Sequence, residues 1–143
     1  GGMLARTVAP HRPPPSGERA RSRTTTARRA LFLAALVGNL VVLYAPSPPA
    51  TPGAGAGVDK VVHAVVFAVL VFTGLRAGLR ASWFVPVVVA HALISEIVQE
   101  ALLAERHGDP WDALADAVGI TLGVVAYRWR RRSLSDGTAA ARS

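Results

Sequence analysis

Four long apolar runs constrain the fold of this chain more than any other feature of its sequence. They consist mostly of Val, Ala and Leu in long stretches with few polar residues, unlike the alternating faces of a soluble amphipathic helix. About 20 consecutive apolar residues are enough for a helix to cross the ~30 Å hydrocarbon core of a bilayer. The predicted fold class is therefore all-α, a four-helix transmembrane bundle with a disordered basic N-terminal tail. The predicted helices cover about residues 30–45, 58–79, 83–104 and 110–129.

The positions of the basic residues predict the orientation of these helices. Seven arginines precede the first apolar run, two lie between the second and third runs, and five follow the fourth run. Short cytoplasmic segments of membrane proteins carry an excess of Lys and Arg. We therefore predict a multi-pass protein of a bacterial cytoplasmic (plasma) membrane, with both termini and the connection 76–82 in the cytoplasm. The net charge of +7 then reflects this orientation, and no nucleic-acid partner is predicted.

The composition divides the chain into a membrane domain and two tails. Residues 1–29 are rich in Arg, Pro, Ser and Thr and are predicted to form a disordered cytoplasmic tail. Residues 30–130 form the predicted membrane domain, and residues 131–143 form a second cytoplasmic tail. The first apolar run is short for a span, so a cleaved signal peptide is the alternative interpretation. The prolines at 46, 48 and 49 disfavour a cleavage site of small residues, so we prefer a retained helix.

Ionisable residues inside the apolar runs are the second informative feature. Seven of the nine acidic residues map to the predicted outer half of the membrane domain or to its outer connections. A charge within a membrane helix costs about 2.5–3.5 kcal/mol on insertion scales, so such residues usually persist for a function or a partner. Helical spacing places Lys60 and His63 on one face of the second helix, and Glu96 and Gln99 on one face of the third.

The fourth helix carries a stripe of acidic and small residues on one face. Asp112, Asp116, Gly119 and Gly123 follow one another at helical spacing. The two glycines allow the backbone of a neighbouring helix to approach closely. We therefore expect the acidic part of this stripe to meet the polar residues of the other helices near the outer membrane face.

At these positions the sequence resembles the VanZ-like membrane protein family. The matching segments are DKVVHAVVF (59–67), SEIVQE (95–100), and Arg106 followed by Asp112, Asp116, Gly119 and Gly123. The family pattern reads DKxxHxxxF, then [SI]ExxQ, then an arginine followed by D, N, G and G at similar spacings. The resemblance covers residues 58–126 and departs from the pattern at Asp116, where the family has Asn. It implies a link to the cell envelope and to glycopeptide antibiotic resistance.

We expect the polar residues to form an outward-facing pocket that binds a lipid head group or a lipid-linked cell-envelope intermediate. Glu96 and Asp116 would attract a cationic or hydroxyl-bearing group, while Lys60 and Arg106 would hold a phosphate or carboxylate. The predicted ligand-binding residues are Asp59, Lys60, His63, Glu96, Gln99, Arg106, Asp112 and Asp116.

Three other interpretations of these residues stay open. The chain could be a membrane enzyme that acts on a lipid-linked phosphate or glycan by acid–base chemistry, with Glu96, His63 and Asp116 as candidate catalytic residues. It could instead be a proton- or cation-coupled transport element. Finally, the charged residues could form an interhelical network that orients the bundle and binds no ligand.

Cofactor chemistry is only weakly indicated. The chain has no cysteine, which excludes disulfides, thiolate metal sites and cysteine nucleophiles. The HExxH pattern is also absent, so no metal site and no cofactor are predicted. A divalent cation held by histidine and carboxylates remains an alternative. The sequence predicts the lipid bilayer as a general partner. It does not indicate an oligomeric state.

Overall fold

The computed structural model describes residues 16–44, 57–102 and 110–140. These residues form four α-helices and no strand, which confirms the predicted all-α fold class. The predicted outer connections, residues 46–59 and 105–110, lie largely outside the described residues, as do the two ends of the chain. The helices are α1 (Ser16–Tyr44), α2 (Gly57–Arg76), α3 (Ala81–Leu102) and α4 (Pro110–Ala140).

Three of the helices are long and apolar enough to cross a membrane, namely Ala20–Tyr44, Gly57–Arg76 and Ala81–Ala101. Their large apolar side chains point mostly away from the bundle: Ile97, for example, is 67% exposed. Exposed apolar surface on this scale is rare in soluble monomers and indicates a bilayer environment. α4 does not reach the same apolarity because Asp112 lies in its first turn and a second aspartate follows one turn later. The described residues therefore contain three candidate spans rather than the four predicted.

α1 and α4 both extend into segments that we predicted to be tails. α1 begins at Ser16 and α4 continues to Ala140, whereas the sequence suggested helix ends near residues 30 and 129. These extensions are rich in Arg, which favours helix. The hydroxyl groups of Thr24, Thr25 and Thr26 donate to carbonyl oxygens four residues earlier. High charge predicted disorder, but adding residues to an existing helix avoids the unfavourable nucleation step.

α2 and α4 run parallel and form the most extensive helix pair of the bundle. Residues of the two helices pair in the same order along the chain. His63 contacts Asp116, and about two turns later Val71 lies beside Gly123. Gly123 lies so close to α2 that a Cβ atom there would be 2.7 Å from a backbone carbonyl oxygen. The small-residue stripe of α4 therefore packs on α2, and this pairing fixes the depth at which their polar residues meet.

α1 and α3 also run parallel to each other and antiparallel to α2. The rings of Phe32 and Phe84 pack edge to face with centroids 5.7 Å apart, and further along both helices Asn39 contacts His91. Leu43, near the end of α1, is fully buried. α1 thus packs against the other helices of the bundle; its retention after synthesis stays a prediction.

A tight turn joins α2 to α3. Gly78 has a φ of +102°, which L-residues with a side chain rarely adopt. The amide of Leu79 donates to the Gly74 carbonyl at 3.1 Å, and the amide of Gly78 donates to the Leu75 carbonyl at 3.2 Å. This hydrogen-bond pattern is a Schellman cap, which satisfies the last carbonyl groups of α2. The apolar core lies between this turn and the polar end of the bundle.

Candidate functional site

Buried polar side chains concentrate at one end of the bundle, where α2 and α4 begin and α1 and α3 end. The buried polar residues are Asn39, His63, Ser95, Gln99, Asp112 and Asp116. Buried polar groups need hydrogen-bond partners to offset their lost hydration. The contacts described below show which of these residues meet, and they define what we call the polar cluster. The polar cluster consists of Asp59, Lys60, His63, Glu96, Asp112 and Asp116.

Lys60 and Asp112 form the outermost contact of the polar cluster. The Lys60 Nζ atom lies 3.3 Å from Asp112 Oδ1, and the two side chains are 34% and 7% exposed. Asp59 is exposed beside them, and one ligand-type atom each from Asp59, His63 and Asp112 lies within 4.8 Å of the others. This part of the cluster is accessible at the N-terminal ends of α2 and α4.

His63 and Asp116 form a buried pair one turn deeper. In the tautomer with the proton on Nδ1, His63 donates to Asp116 Oδ1 at 2.9 Å. The two residues are 1% and 0% exposed. The second carboxylate oxygen of Asp116 is buried and accepts no hydrogen bond within the described part of the chain. The pair therefore has an unused acceptor that a donor group could satisfy.

Glu96 brings α3 into the same group of residues. Its carboxylate, a nitrogen of His63 and the carboxylate of Asp116 supply ligand-type atoms within 4.8 Å of one another. Three helices thus contribute to one site. Its residues are far apart in the sequence, since Glu96 follows His63 by 33 positions and Asp116 follows Glu96 by 20. One imidazole nitrogen and two carboxylates form a donor set that a divalent cation such as Zn²⁺ accepts. The residues present therefore fit the cation alternative by chemistry and spacing.

Two other buried polar residues of α3 donate hydrogen bonds to backbone carbonyl groups and make no described contact with the polar cluster. Gln99 is a predicted ligand residue, but its side-chain nitrogen donates to the Leu43 carbonyl at 2.9 Å, which ties α3 to α1. The Ser95 hydroxyl donates to the Ala92 carbonyl at 2.7 Å. Both side chains are buried, so their contacts hold α3 in position beside the polar cluster.

Arg106 is the remaining predicted ligand residue, and it lies outside the described residues. The same is true of Glu105, His107 and Asp109, which belong to the predicted outer connection between α3 and α4. The prediction that Arg106 holds an anion therefore stays a prediction.

A contact between Asn39 and the half-buried His91 was not predicted from the sequence. Asn39 is 1% exposed, and its Oδ1 atom lies 2.9 Å from His91 Nε2. The ring of His91 also packs 5.8 Å from that of Phe67. A signal was available, because Asn39 is the one amide side chain in the first apolar run. A buried amide in a membrane helix usually bonds to a neighbouring helix.

Comparisons with models of known protein families, with curated proteins and with solved structures gave no match. The resemblance to VanZ-like membrane proteins therefore rests on the three motifs themselves.

Proposed function

We propose that this chain is a VanZ-like membrane protein whose polar cluster binds the head group of a lipid or lipid-linked cell-envelope intermediate. One observation carries the proposal: His63, Glu96 and Asp116 converge from three helices at one end of the bundle. The motifs that suggest the family are the same ones that supply these residues. The ligand would bind at the outer face of a bacterial plasma membrane, and the resulting change in the envelope would affect glycopeptide antibiotic susceptibility.

The proposed orientation makes α4 the fourth span. α4 runs parallel to α2, which is a candidate span, and the contacts of Gly119 and Gly123, about one turn apart, keep the two backbones close there. The opposite face of α4 presents exposed apolar residues such as Leu122 and Val125. Both termini then lie on the side of the arginines, which is cytoplasmic by the positive-inside rule. The polar cluster consequently faces outward.

The buried second oxygen of Asp116 favours a ligand over a purely structural network. Asp112 and Asp116 are the buried carboxylates of the cluster; the first contacts Lys60, and the second contacts His63 through one oxygen. The other oxygen of Asp116 accepts no hydrogen bond within the described part of the chain, and a donor from a ligand would offset the hydration that it has lost. The amine or hydroxyl groups of a head group would donate to Asp116, while Lys60 and the predicted anion ligand Arg106 would hold its phosphate.

The first test is native mass spectrometry of the wild type and a Glu96→Gln variant, both purified in mild detergent from a bacterial host. The wild type should retain a co-purifying lipid or lipid-linked species. Loss of a charged hydrogen-bonding partner costs about 1.5–3 kcal/mol, so Glu96→Gln should weaken retention by about 10- to 150-fold. Glu100→Gln is the matched control, because Glu100 is exposed on the same helix one turn later.

Thermal midpoints of the three proteins separate binding from folding. Equal retention by Glu96→Gln and the wild type would contradict the binding proposal. A strong fall in the midpoint of Glu96→Gln, with no specific ligand on either protein, would indicate a structural network instead.

A membrane enzyme is the second candidate, and the His63–Asp116 pair favours it. A buried carboxylate that holds Nδ1 of a histidine fixes its tautomer and leaves Nε2 as a general base. With Glu96 as the general acid, this arrangement suits hydrolysis of a lipid-linked phosphate or glycan. Purified wild type should then release product from such a substrate, and His63→Gln should reduce the rate by about 10²–10⁴-fold. Equal product release by both proteins would contradict acid–base catalysis by His63.

A further inference from the structure

Two adjoining clefts lie at the end of the bundle opposite the polar cluster. Their volumes are about 490 and 320 Å³, and both are lined by Leu75, Tyr127 and Arg131. They lie where α2 ends, where α3 begins and where α4 extends beyond the apolar core. We refer to them together as the basic clefts, because arginine is their commonest lining residue.

The arginines of the basic clefts come from three helices. Residues 128, 131 and 132 follow one another at helical spacing, so they lie on one face of α4. No acidic residue lines either cleft within the described part of the chain. Several guanidinium groups around one cavity repel each other unless an anion occupies the space between them. The arginines that line the clefts are Arg28, Arg76, Arg128, Arg130, Arg131 and Arg132.

Aromatic rings restrict two of these guanidinium groups. The Arg131 guanidinium carbon lies 5.9 Å from the centre of the Tyr127 ring, and that of Arg76 lies 5.6 Å from the centre of the Phe72 ring. Such cation–π contacts hold a planar guanidinium in a defined orientation. A guanidinium held in this way loses less conformational freedom when it binds both oxygens of a phosphate.

The clefts are also lined by apolar side chains, and two exposed tryptophans lie at the same end of the bundle. Leu75 and Val124 line the larger cleft below the arginines. Trp83 and Trp129 are 49% and 74% exposed at the same end of the bundle, and tryptophan favours the boundary between lipid and water. A ligand that fills the clefts would therefore meet arginines at one end and apolar side chains at the other.

We propose that the basic clefts bind the phosphate head group of an anionic phospholipid. The arginines bind the phosphate oxygens, and Leu75 and Val124 contact the glycerol and the first part of the acyl chains. Basic pockets between membrane helices on the cytoplasmic side bind acidic lipid head groups in this way. This site is separate from the polar cluster and does not depend on the proposed function of that cluster.

The experiment measures phosphatidylglycerol binding by the full chain in detergent, using native mass spectrometry, with phosphatidylcholine as the neutral reference lipid. Arg131→Gln removes the arginine that both clefts share. It should weaken phosphatidylglycerol binding by about tenfold and leave phosphatidylcholine binding unchanged. Arg23→Gln is the matched control, because Arg23 is an exposed arginine of α1 that lines neither cleft. General attraction to an anionic surface would be weakened equally by both substitutions.

Further arms of the experiment keep the proposal falsifiable. Arg131→Lys keeps the charge but loses the planar group that donates two hydrogen bonds to one phosphate. Its affinity for phosphatidylglycerol should therefore fall between that of the wild type and that of Arg131→Gln. If Arg131→Gln fails to fold, the Arg128→Gln/Arg132→Gln double variant replaces it with the same expected loss.

Equal effects of Arg131→Gln and Arg23→Gln would overturn the proposal. Displacement of the lipid by millimolar inorganic phosphate would also overturn it, since that result identifies a simple anion site.

Discussion

A Gly119→Ala variant is expected to lose about 1–3 kcal/mol of the free energy of unfolding, although it adds only one methyl group. A Cβ atom at position 119 would overlap the backbone carbonyl of Ala64 on α2. Backbone atoms cannot move aside as a flexible side chain can, so the two helices must separate. Separation would weaken the most extensive helix pair in the bundle and displace Asp116, one turn earlier on α4, from His63.

Reversible unfolding in mixed micelles with increasing dodecyl sulfate measures this effect. Gly38→Ala is the matched control, because Gly38 is also helical and a Cβ atom there would have no heavy atom within 4 Å. Alanine favours helix over glycine by up to about 1 kcal/mol, so the control should be neutral or slightly stabilised. If Gly119→Ala were as stable as the control, the close packing of α4 on α2 would be contradicted.

The glycine stripe shows how far the sequence could predict the fold. Helical spacing indicated that Gly119 and Gly123 share a face and favour a close helix contact, which the structure confirms. Spacing could not identify α2 as the neighbour, because every helix of an apolar bundle offers a similar apolar face. The extent of α1 and α4 was also missed. Their arginine-rich extensions have the composition of a disordered tail, but their residues favour helix once the apolar part has nucleated it.

The sequence predicted which residues form the candidate site and that they lie near one end of the bundle. It did not predict which of them form hydrogen-bonded pairs. Spacing within α2 put Asp59 one turn from His63, yet the hydrogen-bond partner of His63 is Asp116, 53 residues along the chain. Such pairs depend on the register between helices, which the sequence of each helix does not specify. Asn39 and its contact with His91 were missed for the same reason. The roles proposed for Glu96 and the other ligand residues stay predictions.

The buried His63–Asp116 pair should show strong coupling in a double-mutant cycle. Removing one partner leaves the other buried without its hydrogen bond, so His63→Ala and Asp116→Ala should each cost about 1–3 kcal/mol of unfolding free energy. The double variant should cost less than the sum of the two by about 1–2 kcal/mol, within the range for residues in contact. Interhelical hydrogen bonds in a membrane protein average only about 0.6 kcal/mol. The larger value is expected here because both residues are buried, so a partner left without its hydrogen bond has no water to replace it.

Asp116→Asn tests what the second carboxylate oxygen contributes. Asn has the same shape and keeps one oxygen that can accept from His63 Nδ1, so the fold should tolerate it. It also replaces the unused acceptor of Asp116 with an amide donor, and it restores the residue of the VanZ-like pattern. We expect Asp116→Asn to unfold within about 1 kcal/mol of the wild type and to change which head groups co-purify. A coupling energy near 0.6 kcal/mol, together with unchanged lipid retention in Asp116→Asn, would make the pair an ordinary interhelical contact. A large coupling energy with altered retention would instead place the ligand against Asp116.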